Sequence, residues 1–166
     1  FCLLYAINDV PLHPISTKTD KVKRDMSKIK GKIVMITGGA SGIGRLMGEM
    51  ALEKGAKALV IWDINQESID ATVKELGKKG TVHGYRVDVS RHEMVAEQYD
   101  KVKKEVGDVD ILINSAGIIT SNKTFDQCTE DEINRTMMVN AIAPMYVARQ
   151  MLPDMVQRNE GHICTI

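Results

Sequence analysis

A glycine-rich turn, two aspartates and an asparagine–proline pair carry most of the chemistry that can be read from this chain. Thr37-Gly38-Gly39-Ala40-Ser41-Gly42-Ile43-Gly44 places four glycines within eight residues. Between a strand and a helix, such a turn lets a pyrophosphate approach the helix N-terminus, where unpaired N–H groups and the helix dipole favour negative charge. About 20 residues further on, Trp62 is followed by Asp63, where dinucleotide folds set a carboxylate against the adenosine ribose hydroxyls. Asp88, followed by Val89, can accept from an adenine amino group; it can equally serve as a structural cap for a helix beginning near Ser90. Asn140 stands four residues before Pro144. A helical N–H at position i bonds the carbonyl at i−4, and proline has no N–H, so the Asn140 carbonyl loses its helical partner. A break of that kind costs about 3 kcal/mol in a regular helix and is seldom kept without a use.

Glycines also mark plain turns, so the elements around them decide the reading. Ile33 to Ile36 is a short continuous apolar run, as expected of a strand buried on both faces. It leads directly into the glycine turn. Gly42 to Lys54 then carries Ile43, Leu46, Met47, Met50 and Ala51 at helical spacing, with Gly55 as its stop. Strands are expected over Ala58 to Trp62, Val82 to Val87, Val109 to Ile113 and His162 to Ile166, with a helix over Glu67 to Leu76. Ser90 with Glu93, and Thr129 with Glu132, have capping-box spacing. The first pair opens a helix to about Val106; the second opens a long one to about Arg158, broken by Gly161. Alternating units of this kind build an α/β fold, a doubly wound parallel sheet with helices on both faces.

Asp63 bears on which dinucleotide is held. A carboxylate about 4 Å from a 2′-phosphate meets repulsion of roughly 4 kcal/mol per unit charge at an effective dielectric near 20. The turn brings no compensating cation, since Ser41 is neutral and Arg45 lies inside the helix. NAD is expected rather than NADP.

Composition excludes several other classes. Lysine plus arginine and aspartate plus glutamate both number 22, so there is no basic excess to suggest a nucleic-acid partner. Cys2, Cys128 and Cys164 are odd in number and far apart, and the four histidines are scattered. Neither pattern makes a disulfide framework or a metal site; reduced thiols in a cytoplasm-facing protein fit better.

Taken together, these residues resemble the short-chain dehydrogenase/reductase family over roughly Lys28 to Ile166. Thr37-Gly38-x-x-x-Gly42-Ile43-Gly44 is similar to that family's cofactor turn, and Asn114-Ser115-Ala116-Gly117 to its Asn-Asn-Ala-Gly element, with Ser115 replacing the second asparagine. The resemblance implies a Rossmann-like sheet, incomplete, with five strands in the order 3-2-1-4-5. It implies cofactor contacts from Thr37, Gly38, Ser41, Gly42, Ile43, Gly44, Asp63, Asp88, Val89, Asn114, Ala116 and Gly117. Asn140 matches the catalytic asparagine, whose carbonyl holds a water of the proton relay. The family's serine and its Tyr-x-x-x-Lys pair would follow the fifth strand, beyond Ile166; Tyr5, Tyr85, Tyr99 and Tyr146 are not read as supplying that pair in a suitable helical context.

The expectation is therefore the cofactor-binding part of an NAD(H)-dependent oxidoreductase acting on an alcohol and its carbonyl, without turnover by itself. Gly31-Lys32-Ile33-Val34, Trp62-Asp63-Ile64-Asn65 and Gly161-His162-Ile163 resemble the membrane-associated branch that oxidises retinol, hydroxysteroids or fatty alcohols. That branch implies a lipophilic substrate and a place in the cytoplasm or on the cytoplasmic face of an intracellular membrane, and the family resemblance implies a homodimer paired through the long helix. Residues 1–27 read as a leader. Its apolar start, Phe1 to Ile7, is far shorter than the roughly 20 residues of a membrane span. With the cations that follow, from Lys18 to Lys30, it reads either as a disordered leader or as the end of an anchor. Two rival functions remain: a non-catalytic NAD(H)-binding sensor or scaffold, and a methyltransferase using S-adenosylmethionine.

Overall fold

The computed structural model describes residues 5–6, 28–119 and 122–166. The basic stretch 18–27 and most of the apolar leader lie outside the described residues.

Continuous apolar runs make the central strands. β2 (Ile33–Thr37) is buried at all five positions, and β3 (Ala58–Asp63) at all but its last. β4 (Val82–Arg86), β5 (Ile111–Asn114) and β6 (His162–Thr165) complete a parallel sheet in the order β4-β3-β2-β5-β6, which is the expected 3-2-1-4-5 of the five predicted strands. A two-residue strand, β1 (Tyr5–Ala6), adds antiparallel to β6.

Helices close both faces because side chains alternate along each strand. Val34, Ile36, Leu59 and Ile61 pack with α1 (Gly42–Glu53) and α2 (Gln66–Leu76). Met35, Val60, Trp62 and Leu112 pack on the other face with α3 (His92–Glu105) and α5 (Ala143–Gln157). α1 ends at Gly55 as expected: with φ +82° it carries a Schellman pair, Gly55 N–H to Leu52 O and Ala56 N–H to Ala51 O.

Three local expectations need correction. Ser90 and Glu93 form no capping box; Arg91 precedes the first turn of α3, and Ser90 turns back to Asp88. Gly161 does not end the long helix. Asn159, with φ +50°, does so through the same Schellman pairing, whereas Gly161 leaves room for the Met155 side chain. The long helix is itself three pieces: α4 (Glu130–Met137), whose Thr129–Glu132 capping box is present, a π-helical turn over Met138–Ile142, and α5. Among the described residues no helix is long and apolar enough to cross a membrane, and no cluster of metal-ligating side chains occurs.

Candidate functional site

The C-terminal ends of the parallel strands converge on the point where the chain order reverses, between β2 and β5, which is where open α/β sheets leave a ligand crevice. A cleft of ≈ 670 Å³ lies there. Its walls come from the glycine turn, the ends of β3 and β4, the segment after β5, and the α4–π junction.

The turn is fixed from behind. Gly38 N–H and Gly39 N–H donate to the Trp62 carbonyl at 2.7 and 3.3 Å. Thr37, fully buried, accepts on Oγ1 from the N–H groups of Ser115 and Ala116, each at 3.2 Å, and so ties the turn to the segment after β5. The two backbones are so close that a Cβ on Gly38 would stand 2.8 Å from Ala116 Cα, and one on Gly44 would collide with the Gly38 carbonyl. On the open side the situation reverses. Gly42, with φ +53°, has nothing within 4 Å of where a Cβ would be. Ser41 makes no side-chain cap to α1, and the first turn of α1 carries no acidic residue. The helix N-terminus therefore faces the cleft with its N–H groups uncapped by a side chain, an arrangement that fits a pyrophosphate.

Asp63 is oriented by two backbone donors, Ala40 N–H to Oδ2 and Asn65 N–H to Oδ1, both at 3.1 Å. Each carboxylate oxygen keeps a lone pair for a ribose hydroxyl. Asp88 resolves its two readings only in part. Its Oδ1 accepts from Ser90 N–H at 3.0 Å and Ser90 Oγ–H at 2.6 Å, which is local structural work, yet Asp88 also lines the cleft.

Of the sequence-predicted residues, Gly38, Ser41, Gly42, Ile43, Gly44, Asp63, Asp88, Val89, Ala116 and Gly117 line the cleft together. Thr37 and Asn114 do not: Thr37 braces the turn, and Asn114 is buried between strands, with Nδ2 donating to Thr165 Oγ1 at 3.4 Å. Asn140 also stands outside the lining. Its side chain clasps the peptide of Ile118, and Ile118 does line the cleft. Pro144 falls at the start of α5, directly after the π-helical turn, where Ala143 N–H reaches back five residues to Met138 O. The expected irregularity at Asn140 thus takes the form of a π-helical turn rather than a simple break.

Sequence reasoning missed Arg135, Met138 and Val139, which face the cleft from the α4–π junction at helical spacing, and Trp62, whose buried indole N–H has no partner among the described residues. Periodicity along the long helix could have placed the first three on one face, but not against the glycine turn. Tyr99 needs a correction as well. It does stand four residues before Lys103, inside α3, so spacing and helical context do not set it aside; location does. Tyr99 OH and Lys103 Nζ both donate to Asp154 Oδ2 at 2.8 Å, and neither residue lines the cleft. Lys103 holds the Asp154 carboxyl below its ordinary value, while burial, then Asp154, push the Tyr99 phenol well up.

Comparison with known proteins agrees with this geometry. Residues 32–166 match the sequence profile of the family described as short chain dehydrogenase. Epidermal retinol dehydrogenase 2 of Mus musculus is 41% identical over 147 residues, covering 87% of this chain and 47% of that protein. 17-beta-hydroxysteroid dehydrogenase 13 of Homo sapiens is 39% identical over 139 residues, covering 83% and 46%. The chain therefore spans about half the length of the curated relatives it matches. Among solved structures, NAD+-bound xylitol dehydrogenase superimposes with a TM-score of 0.76 at 25% identity, covering 81% of this chain and 52% of that one.

Proposed function

Because the chain belongs to the short-chain dehydrogenase family, we propose that it is the NAD(H)-binding part of an oxidoreductase that interconverts an alcohol and its carbonyl. The observation that carries this reading is the glycine turn braced by Thr37 against Ser115 and Ala116, with Asp63 held beside it by Ala40 N–H. In this reading the N–H groups at the start of α1 hold the pyrophosphate, and the free lone pairs of Asp63 accept from the adenosine ribose. Asp88 and Val89 border the adenine, and Ala116 and Gly117 let the backbone pass close to the dinucleotide. Asn114 supports that segment from within the sheet. Bound NAD(H) supplies the hydride acceptor or donor.

Asn140 acts at the proton side of the reaction. Its side chain is committed to Ile118, and Pro144 withholds the helical N–H from its carbonyl, which is then available to hold a water that relays the proton. The Tyr-x-x-x-Lys spacing within these residues is committed to Asp154, so the 166 residues alone bind dinucleotide without turning over an alcohol.

The substrate of the whole protein is a lipophilic alcohol or ketone of retinol, hydroxysteroid or fatty-alcohol type, in keeping with the relatives named for retinol and hydroxysteroids. Its place is the cytoplasm or the cytoplasmic face of an intracellular membrane. Met145, Leu152 and Val156, exposed along one side of α5, support pairing of two copies.

Titrating the chain with NADH, NADPH and S-adenosylmethionine tests the reading, followed by thermal unfolding, since a ligand of the folded state raises its apparent stability. NADH is expected to bind at least tenfold more tightly than NADPH, and Asp63→Asn to erase most of that preference. Stabilisation by S-adenosylmethionine but not by NADH overturns the proposal.

A further inference from the structure

Among the described residues that line the cleft, Arg135 is the cation. It sits in the last turn of α4 and shares one helix face with Met138 and Val139, at positions i, i+3 and i+4. Both apolar neighbours line the same wall. Among the described residues, the other charged side chains lining the cleft are Asp63 and Asp88, so without Arg135 these walls carry only negative charge. A dinucleotide would bring two further negative charges into that space.

The conformation of Arg135 is informative because its own helix offers it acids. Asp131 and Glu132 stand four and three residues before it, the spacings at which helical ion pairs form. Glu132 is instead taken by the Thr129 N–H and by Lys123 Nζ at 3.0 Å. Among the described residues no carboxylate lies within ion-pair distance of the Arg135 guanidinium, although the side chain is exposed and long enough to reach one. A guanidinium that makes no ion pair with a described acid and lines an otherwise acidic, partly apolar cleft is suited to an anionic ligand there.

We propose that Arg135 is a cofactor-binding residue, contributing its charge to the phosphates of the bound dinucleotide from the α4 wall of the cleft. The proposal rests on the dinucleotide reading above and adds a second, cationic contact to one otherwise made by backbone N–H groups.

The test compares NADH affinity of the wild-type chain, Arg135→Gln and Arg135→Lys at low and high ionic strength, with apo thermal unfolding of each as a check of folding. Arg135→Gln is expected to weaken NADH binding about five- to tenfold at low salt, a change of about 1 to 1.4 kcal/mol. The difference should shrink at high salt, since exposed charges are screened, and Arg135→Lys should stay close to wild type. If Arg135→Gln binds NADH within twofold of wild type at low salt, or with a deficit that salt does not alter, the proposal is overturned while the dinucleotide reading stands. Failure of the wild-type chain itself to bind NADH overturns both.

Discussion

The side-chain amide of Asn140 and the peptide of Ile118 hold each other through two hydrogen bonds of 2.9 Å, one in each direction: Ile118 N–H to Oδ1, and Nδ2–H to Ile118 O. The pair joins segments 22 residues apart, the turn after β5 and the π-helical turn, and so sets one edge of the cleft. An asparagine is the side chain this contact requires, because it needs a donor and an acceptor side by side.

Asn140→Ala removes both bonds. The site is exposed, so water replaces them, and the expected loss of stability is about 1 kcal/mol. Hydrogen exchange at the Ile118 amide should accelerate, and NADH affinity should fall with it. Asn140→Asp should be worse than Ala, since a carboxylate then faces the Ile118 carbonyl. Chemical denaturation with amide exchange checks this. An Ile118 amide as protected in Asn140→Ala as in wild type would mean that the clasp does not hold the turn.

Two glycines of the same turn should fail in different ways. On Gly44 a Cβ would collide with the Gly38 carbonyl oxygen, which is itself held in the turn. Gly44→Ala therefore must move backbone, at a cost of about 1–3 kcal/mol, and should lower stability with or without ligand. On Gly42 a Cβ would meet nothing within 4 Å, and only its φ of +53° resists substitution, at about 1–2 kcal/mol. The new methyl would project into the cleft. Gly42→Ala should thus lose NADH affinity out of proportion to its loss of stability, which titration of both variants measures directly.

Much of this was legible from the chain because it depends on local pattern. Continuous apolar runs at Ile33, Ala58 and Ile111 can be satisfied only by burial on both faces, and a glycine turn between strand and helix leaves few alternatives. Asp63 follows from its place at a strand end. The misreadings share a cause, which is competition among partners that only the folded chain brings together. Ser90 has capping-box spacing to Glu93, but its N–H and Oγ–H both donate to Asp88 Oδ1 instead. Asn159 tolerates a left-handed backbone and ends the long helix before Gly161 is reached. Tyr99 and Lys103 have the spacing of a catalytic pair, and Asp154, 51 residues beyond Lys103, claims both. Arg135 was invisible for a related reason: only the folded chain sets α4 beside the glycine turn.

The Tyr99–Asp154–Lys103 cluster, which joins α3 to α5, predicts a pH response. The Asp154 carboxyl is held below its ordinary 3.8 by the hydrogen bond from Lys103, with Tyr99 adding to it. A depressed carboxyl contributes stability that is present above its unfolded value and is lost as pH falls through its folded one. On the alkaline side Tyr99 and Lys103 are both raised, so their contribution is present at neutral pH and lost as pH climbs past their ordinary 10.0 and 10.5. Asp154→Asn should be less stable than wild type at pH 7, and the two curves should converge as pH falls below 3.8. Urea denaturation across that range is the measurement; parallel curves would mean that the cluster does not couple the helices.

Pro144 offers the most direct test of why the long helix is irregular. In the wild-type chain Ala143 N–H bonds Met138 O across five residues, and position 144 has no N–H to give the Asn140 carbonyl. Pro144→Ala supplies that N–H. A regular α-helical bond to Asn140 becomes available, so stability should be unchanged or raised by up to about 1 kcal/mol, well under the roughly 3 kcal/mol that proline costs inside a regular helix. The Asn140 carbonyl would then be occupied and could not hold the proposed relay water. Where the domain turns over an alcohol, turnover should fall at least tenfold, or about 1.4 kcal/mol in the barrier, with NADH affinity little changed because the clasp to Ile118 uses the side chain and not the carbonyl. The two readouts must be taken together. If the new amide of Pro144→Ala is protected from exchange while turnover stays full, the Asn140 carbonyl has no part in the proton path. Lost turnover with intact NADH binding would instead place the chemistry of the irregular helix in its backbone.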